Sequence, residues 1–351
     1  MSRVGARAFL ALLRAWPASP VGPLPEDAGA LVRLAGRHGL AGFTAHALER
    51  AGWVLPEPAR ETLRRESMST AARAIRVNTL LLRSVDALAV AGVVPVVLKG
   101  PALARRFYPE PFHRATTDVD LLVGREQVEP ASVALEGLGL TRAPERPGHG
   151  GEHTHHREFQ GPAGLVELHF RALTGYGLAL EAEALLARAE EAPLEGRRVR
   201  YLRAEDELVY LALHASNHLL QRLSWLMDLK LLVLARPGLS WERVVEVARS
   251  TAFPHLAWYA LEAARRLLAA PVPHEVLEAL APRRWQQVLA RSFFSEERLL
   301  ETRLVEHRAE WAAAKLLLAP RVRPMARYGL WRLGEAVRAR LQSGPSRRGA
   351  T

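Results

Sequence analysis

The chain contains no cysteine. That removes disulfides, thiolate nucleophiles and cysteine-based zinc sites, and leaves carboxylates, imidazoles, lysine, arginine and hydroxyls to carry any chemistry. Lysine is scarce too: of 48 basic residues only Lys99, Lys230 and Lys315 are Lys. Arginine is the background choice for positive charge, so a lysine inside a motif stands out. No segment approaches the ~20 uninterrupted apolar residues of a membrane span. The N-terminal MSRVGARAFLALLRAWP carries an apolar stretch that Arg14 ends after about six residues, short of the roughly 7 to 15 of a secretory signal core. An amphipathic first helix, no membrane partner and a cytoplasmic location are expected.

What is present fits a globular, soluble protein. With 351 residues, 49% hydrophobic and 24% charged, the chain can bury a sizeable core and is expected to hold two units rather than one. The formal net charge of +11 suits an anionic partner, but it is spread along the chain. The dense clusters, Arg197-Arg198 with Arg200 and Arg347-Arg348, are short.

Three textures follow one another. Residues 1–92 read as a helical segment, with apolar residues at three and four spacing from Pro58 to about Ala91 (Ile75, Leu80, Leu81, Val85, Leu88) and Gly92 as a stop. Residues 93–203 hold short apolar runs: VVPVVL, DVDLLV, HHREFQ, LVELHF and RVRYL ending at Leu202, with short helical patterns at 101–107 and 125–138. Residues 204–342 are helical again, broken at Pro237-Gly238, Pro254, Pro271 to Pro273, Pro282 and Pro320. The tail 343–351 is expected to be disordered. The fold class expected is α+β: a small mixed sheet with flanking helices, set between an N-terminal helical segment and a C-terminal helical domain.

The chemistry concentrates in VVLKGPALARRFYPEPFHRATTDVDLLV, residues 96–123. Alternation along a strand puts Asp118 and Asp120 on one face and Val119 and Leu121 on the other. Two adjacent carboxylates repel unless a cation lies between them, and a hard divalent ion such as Mg²⁺ takes such oxygens together with substrate phosphates. The same pattern also serves as a polar strand end capped by local hydrogen bonds. Lys99 and Gly100 fall at a strand-to-helix turn, where a point charge and a close backbone approach suit a phosphate, with Pro101 as first helical residue. Arg114 is placed to hold a phosphate or brace the carboxylates, or to form an ion pair with one of them. On LVELHF, Glu167 and His169 share a face. If that strand neighbours DVDLLV, Glu167 supplies a third carboxylate and a candidate general base; alone, it is a cross-strand partner for an arginine.

The ordered series LKG, Tyr108, Arg114, DVDLL, VELHF and LALHASNHLLQRLSWLMDLKLLV resembles the bacterial uncharacterised nucleotidyltransferase family. That family is part of the superfold of DNA polymerase beta, antibiotic-modifying nucleotidyltransferases and AbiE-type toxins. The resemblance spans about residues 60 to 300. It implies Asp118, Asp120 and Glu167 as catalytic and metal-binding residues for Mg²⁺ (or Mn²⁺), with Lys99 and Gly100 at the nucleotide phosphates. The Lys-Gly turn departs from the Gly-Ser or Gly-Gly of the wider superfold, as AbiE-type toxins partly do.

Two histidine groups stand outside this series. His149, His153, His155 and His156 lie in Gly-rich surroundings that read as a mobile or substrate-side loop in preference to a metal site. His214 and His218, continued by Gln221, Trp225 and Asp228, form a polar stripe on one expected helix. The stripe either closes the carboxylate cleft, with His169, as an acceptor-side wall, or makes a buried seam between units.

The expected activity is Mg-dependent transfer of a nucleoside monophosphate from an NTP such as ATP to an acceptor hydroxyl with release of pyrophosphate. The acceptor, a small molecule, peptide or RNA, and the oligomeric state are not written in the sequence. The alternatives are kinase-like phosphoryl transfer on the same fold and a non-catalytic nucleotide- or RNA-binding module.

Overall fold

The structure is a computed structural model that describes residues 3–19, 24, 27–144, 155–175, 178–301 and 308–319, with Leu330 and Gly334. The expected tail and two of the loop histidines, His149 and His153, lie outside the described residues.

Four helices lead: α1 (Arg3–Ala15), α2 (Ala28–Arg37), α3 (Ala41–Arg50) and the 34-residue α4 (Glu57–Val90). The sheet region follows with β1 (Val96–Val97), α5 (Lys99–Phe107), β2 (Asp118–Leu122), α6 (Val128–Glu136), β3 (Thr141–Arg142), β4 (His156–Gly161), β5 (Gly164–His169), β6 (Arg171–Gly175), β7 (Leu178–Glu181), α7 (Glu183–Arg188), β8 (Glu190–Leu194) and β9 (Arg197–Tyr201). Helices close the chain: α8 (Ala204–Asn217), α9 (Leu223–Ala235), α10 (Trp241–Ser250), α11 (Pro254–Leu268), α12 (His274–Leu280), α13 (Arg284–Phe293), α14 (Glu296–Glu301) and α15 (Arg308–Leu318). The protein is α+β, with a mixed sheet flanked by helices.

The seven-stranded sheet runs β3-β4-β5-β2-β1-β9-β8, and β6-β7 form a separate pair. At its centre β2 lies parallel to β5, with Asp120 opposite Glu167 and Leu122 opposite His169, while β1 is antiparallel to β2. Side-chain alternation divides the two faces. Val97, Val119, Leu121, Val166 and Leu168 pack against Leu80, Leu81 and Val85 of α4 and Ala131 and Leu135 of α6. Val96, Leu98 and Leu122 turn to the other face and join a core built from α1 to α3 and α8 to α11. The N-terminal helices α1 to α3 therefore share one core with the C-terminal helices. On α4, Leu80, Leu81, Val85 and Leu88 are buried as the spacing suggests, while Ile75 is exposed and Val77 takes its place in the core.

The segment read as one helix from 208 to 233 is two. Leu219 and Leu220 adopt left-handed φ of 57° and 52°, and the Leu220 N–H closes α8 on the Ala215 carbonyl at 2.8 Å. Such a conformation costs a non-glycine residue about 1–3 kcal/mol. Complete burial of the Leu220 side chain opposes that cost, and no glycine or proline announces the break. Lys230, fully buried on α9, donates to the carbonyls of Leu13, Arg14 and Leu268 at 2.8–2.9 Å. It thereby ties together the C-terminal ends of α1 and α11, where a cation is favoured.

Candidate active site

β2 and β5 deliver the acidic residues. Their register places Asp120 beside Glu167, and β4, antiparallel to β5, extends the row to Glu158. The next row carries His156 opposite His169, which is itself opposite Leu122. The His169 ring points its Nε2 at Asp120 Oδ1 (3.0 Å) and Glu167 Oε2 (3.2 Å). Carboxylates only accept, so Nε2 carries the hydrogen.

Lys99 closes the same oxygen from the opposite side, its Nζ 2.8 Å from Asp120 Oδ1. The turn that brings it there is strained: Lys99 has φ 22° and Gly100 has φ 45°, ψ −125°. A Cβ at Gly100 would lie 3.2 Å from the Asp118 carbonyl oxygen, so only glycine lets the turn approach β2 this closely. Regular helical turns of α5 start at Pro101, after this kink.

The electrostatics follow from burial against pairing. Burial disfavours the Asp120 carboxylate, yet Lys99 and His169 outweigh it and hold its pKa well below the ordinary range. Burial also works against the Lys99 charge, and Asp120, Tyr210 and Glu167 overturn it and push the lysine up. For Asp118 the balance goes the other way: burial first, then the Asp120 charge, outweigh Lys99 and raise it to about 6. His169 is raised, because the hydrogen bonds to Asp120 and Glu167 exceed its burial penalty.

Asp120, Glu167 and His169 offer ligand atoms within 4.8 Å of one another. Asp118 stands outside this tight group, opposite Leu165 in the register, with Thr117 Oγ1 donating to its Oδ1 at 3.2 Å. The donor atoms within 4.8 Å of one another are therefore those of two carboxylates and an imidazole, and Asp118 lies two residues before Asp120 on the same strand face. Asp120 Oδ2 is buried and has no hydrogen-bond partner. An orphaned carboxylate oxygen beside a second carboxylate is a donor set that suits a hard divalent cation.

Arg114 does not pair with Asp118 or Asp120. Its guanidinium grips Asp228 of α9 through Nε–Oδ1 (2.8 Å) and Nη2–Oδ2 (2.7 Å), and Tyr108 OH donates to the same Asp228 Oδ1 at 2.8 Å. Asp228 is therefore a buried anchor for the segment leading into β2 and not part of an open wall. His214, near the end of α8, lies tilted against His218 (4.6 Å) and edge-on to Trp225 of α9 (5.5 Å between ring centres). Burial and then the Lys99 charge pull His214 well below its ordinary pKa. Across the break in the helix His214, His218 and Trp225 stay together, while Gln221 turns out to solvent and Asp228 is taken by Arg114 and Tyr108.

A model of the uncharacterised nucleotidyltransferase family matches residues 25–269, more than half of the chain. The chain belongs to that family. It is a nucleotidyltransferase. Two solved structures resemble it at a distance. A solution structure of the antibiotic-resistance factor ANT(2'')-Ia is 19% identical with a TM-score of 0.35, covering 49% of this chain and 89% of that one. A crystal structure of ANT(2'')-Ia in complex with adenylyl-2''-tobramycin is 17% identical with a TM-score of 0.36, covering 49% and 95%. Neither likeness is strong enough to transfer a residue role or a substrate. No curated protein matches. Among the described residues of this nucleotidyltransferase, no helix is long and apolar enough to cross a membrane.

Tyr108 stands in the sequence series without a role, which its bond to Asp228 supplies, and no sequence pattern points to Tyr210, buried in the field of Lys99. His155 and His156 belong both to the histidine-rich loop and to the expected strand run HHREFQ, and the strand placement is the one that brings His156 opposite His169.

Proposed function

We propose that this nucleotidyltransferase is metal-dependent and transfers a nucleoside monophosphate from an NTP to an acceptor hydroxyl at the site formed by Asp118, Asp120 and Glu167. The observation that carries the reading is the register pairing of Asp120 with Glu167, with the buried Oδ2 of Asp120 left without a partner. Mg²⁺, or Mn²⁺, would be held by these carboxylates, and when bound it supplies charge neutralisation and alignment of phosphate oxygens.

In this reading the acceptor oxygen bonds to the α-phosphorus while the bond to the bridging oxygen of the β-phosphate breaks, and pyrophosphate leaves. Glu167, 19% exposed where Asp120 is sealed at 1%, takes the hydroxyl proton. Lys99, whose Nζ lies 2.8 Å from Asp120 Oδ1, would add charge stabilisation at the phosphates where negative charge develops. Gly100 keeps the backbone of that turn close enough for its amide to face a phosphate oxygen. Asp228 holds Arg114 and Tyr108 and so fixes the approach to β2. His214, His218 and Trp225 border the acceptor side, with a small molecule, peptide or RNA as acceptor and the cytoplasm as the place of work.

The test is a thermal shift with each NTP, with and without Mg²⁺. Stabilisation that requires both and vanishes in Asp118→Ala supports the proposal. Nucleic-acid binding independent of Mg²⁺, with no NTP response, replaces it by the binding-module reading.

A further inference from the structure

His169 belongs to two groups at once. One is the carboxylate site; the other is a cluster with His155 and His156 in which one ring nitrogen of each lies within 4.8 Å of the others. The ring centres are 4.2 Å apart for His155 and His156, 5.2 Å for His156 and His169, and 5.6 Å for His155 and His169. The register of β4 on β5 puts His156 directly opposite His169, so the arrangement is set by the sheet.

Each ring has one nitrogen already engaged by an oxygen. His169 Nε2 donates to Asp120 and Glu167 at 3.0 and 3.2 Å. His156 Nε2 donates to Glu158 Oε1 at 3.3 Å, and His155 Nδ1 bonds Thr174 Oγ1 at 3.1 Å. The nitrogens left over are Nε2 of His155 and the Nδ1 atoms of His156 and His169, and both Nδ1 atoms are buried with no hydrogen-bond partner. Imidazoles that ligate a metal typically show this pattern: the far nitrogen donates to a carboxylate or other oxygen, fixing tautomer and ring angle, and the near nitrogen keeps its lone pair. Ring packing alone does not explain two unpartnered nitrogens shielded from water.

We propose that His155, His156 and His169 form a second metal site, selective for a borderline divalent ion of the zinc class, adjoining the carboxylate site. Three imidazole nitrogens suit Zn²⁺ or Co²⁺ and do not suit Mg²⁺, which takes oxygens. Three protein ligands leave a coordination position for water or a substrate atom. Asp120 and Glu167 are the orienting partners of this ion through His169, which belongs to both groups, so the two sites are joined by one hydrogen-bond network. The proposal does not depend on nucleotide transfer.

The test uses the full-length, metal-stripped protein in excess Mg²⁺, which holds the carboxylate site, and Co²⁺ as the optical probe. The expected result is the visible absorption of four-coordinate cobalt, saturating at one equivalent and displaced by Zn²⁺. His155→Ala and His156→Ala abolish it. Thr174→Val, which removes only the orienting oxygen, weakens Co²⁺ binding about ten- to hundred-fold. Absence of the band in the wild type, its persistence in the histidine variants, or its loss to competing Mg²⁺ overturns the proposal. If the variants do not fold, long-range ¹H–¹⁵N spectra of the wild type decide. Zn²⁺ must move the ring nitrogens of these three histidines, and a response confined to other histidines, or none, overturns it.

Discussion

Lys99 Nζ sits 2.8 Å from Asp120 Oδ1, with 12% of the lysine side chain and 1% of the aspartate exposed. Breaking a buried pair by deleting one partner strands the other charge, at a cost of about 3–5 kcal/mol. Lys99→Met is expected to lose stability of that order in urea unfolding without metal. Mg²⁺ should then stabilise the variant more than the wild type, because the cation replaces the lysine at Asp120. An unchanged unfolding midpoint would show that the pair is not the neutralising contact.

Gly100 is the hinge of the same turn. Gly100→Ala puts a Cβ 3.2 Å from the Asp118 carbonyl at φ 45°, and backbone strain of this kind costs about 1–3 kcal/mol. The turn retreats from β2, so nucleotide affinity should fall along with stability, read by calorimetric titration. Affinity equal to wild type would remove Gly100 from the phosphate-binding turn.

How far the sequence reveals this protein depends on range. DVDLLV and LVELHF are legible as strands because apolar residues alternate with acids, and the buried side of each is packed on α4 and α6. The break at Leu219-Leu220 is not legible, since its left-handed residues are leucines held by burial and not by glycine. The strand EEAPL is polar and contains Pro193, and it lies at the sheet edge, where proline is tolerated. In the site, Asp118, Asp120 and Glu167 are visible as acids, while the parallel pairing that sets Glu167 beside Asp120 is a tertiary fact. Arg114 and Asp228 are separated by 114 residues, so no local pattern reports their bond, and Arg114 read naturally as a partner of the nearer acids.

The Arg114–Asp228 pair is 8% and 2% exposed and bidentate. Asp228→Asn is expected to destabilise by about 3–5 kcal/mol, and Tyr108→Phe, which removes one donor to the same carboxylate, by about 1–3 kcal/mol. A double-mutant cycle should return a coupling energy well above zero, since both act on Asp228 Oδ1. Strict additivity would mean that the Tyr108 hydrogen bond is not formed.

His38 governs part of the acid stability. It is buried between α2 and α9, accepting from the Leu223 N–H at Nδ1 and donating from Nε2 to the Leu300 carbonyl, an arrangement that requires the neutral ring. Burial lowers its pKa from 6.5 to about 4, with Arg37 and Arg222 adding to the effect. The unfolded chain takes up this proton near pH 6.5 and the folded one only near 4, so stability is present above pH 6.5 and lost as pH falls. The displacement from 6.5 to about 4 corresponds to roughly 3 kcal/mol. An NMR titration should find the His38 ring neutral at pH 5.5, and a ring already charged there contradicts the assignment.

In the proposed function Asp120, beside Glu167, binds the cation that makes nucleotidyl transfer possible. The direct measurement is incubation of the protein with α-labelled NTP, Mg²⁺ and pooled RNA, peptide and metabolite fractions, run in parallel with a folded Asp120→Asn variant. The expected result is a labelled product and pyrophosphate from the wild type in the presence of Mg²⁺, with loss of at least ~100-fold in the variant, the scale that follows removal of a principal electrostatic element of a transfer site. Equal labelling by Asp120→Asn, or labelling that continues after all divalent ions are chelated, would contradict it.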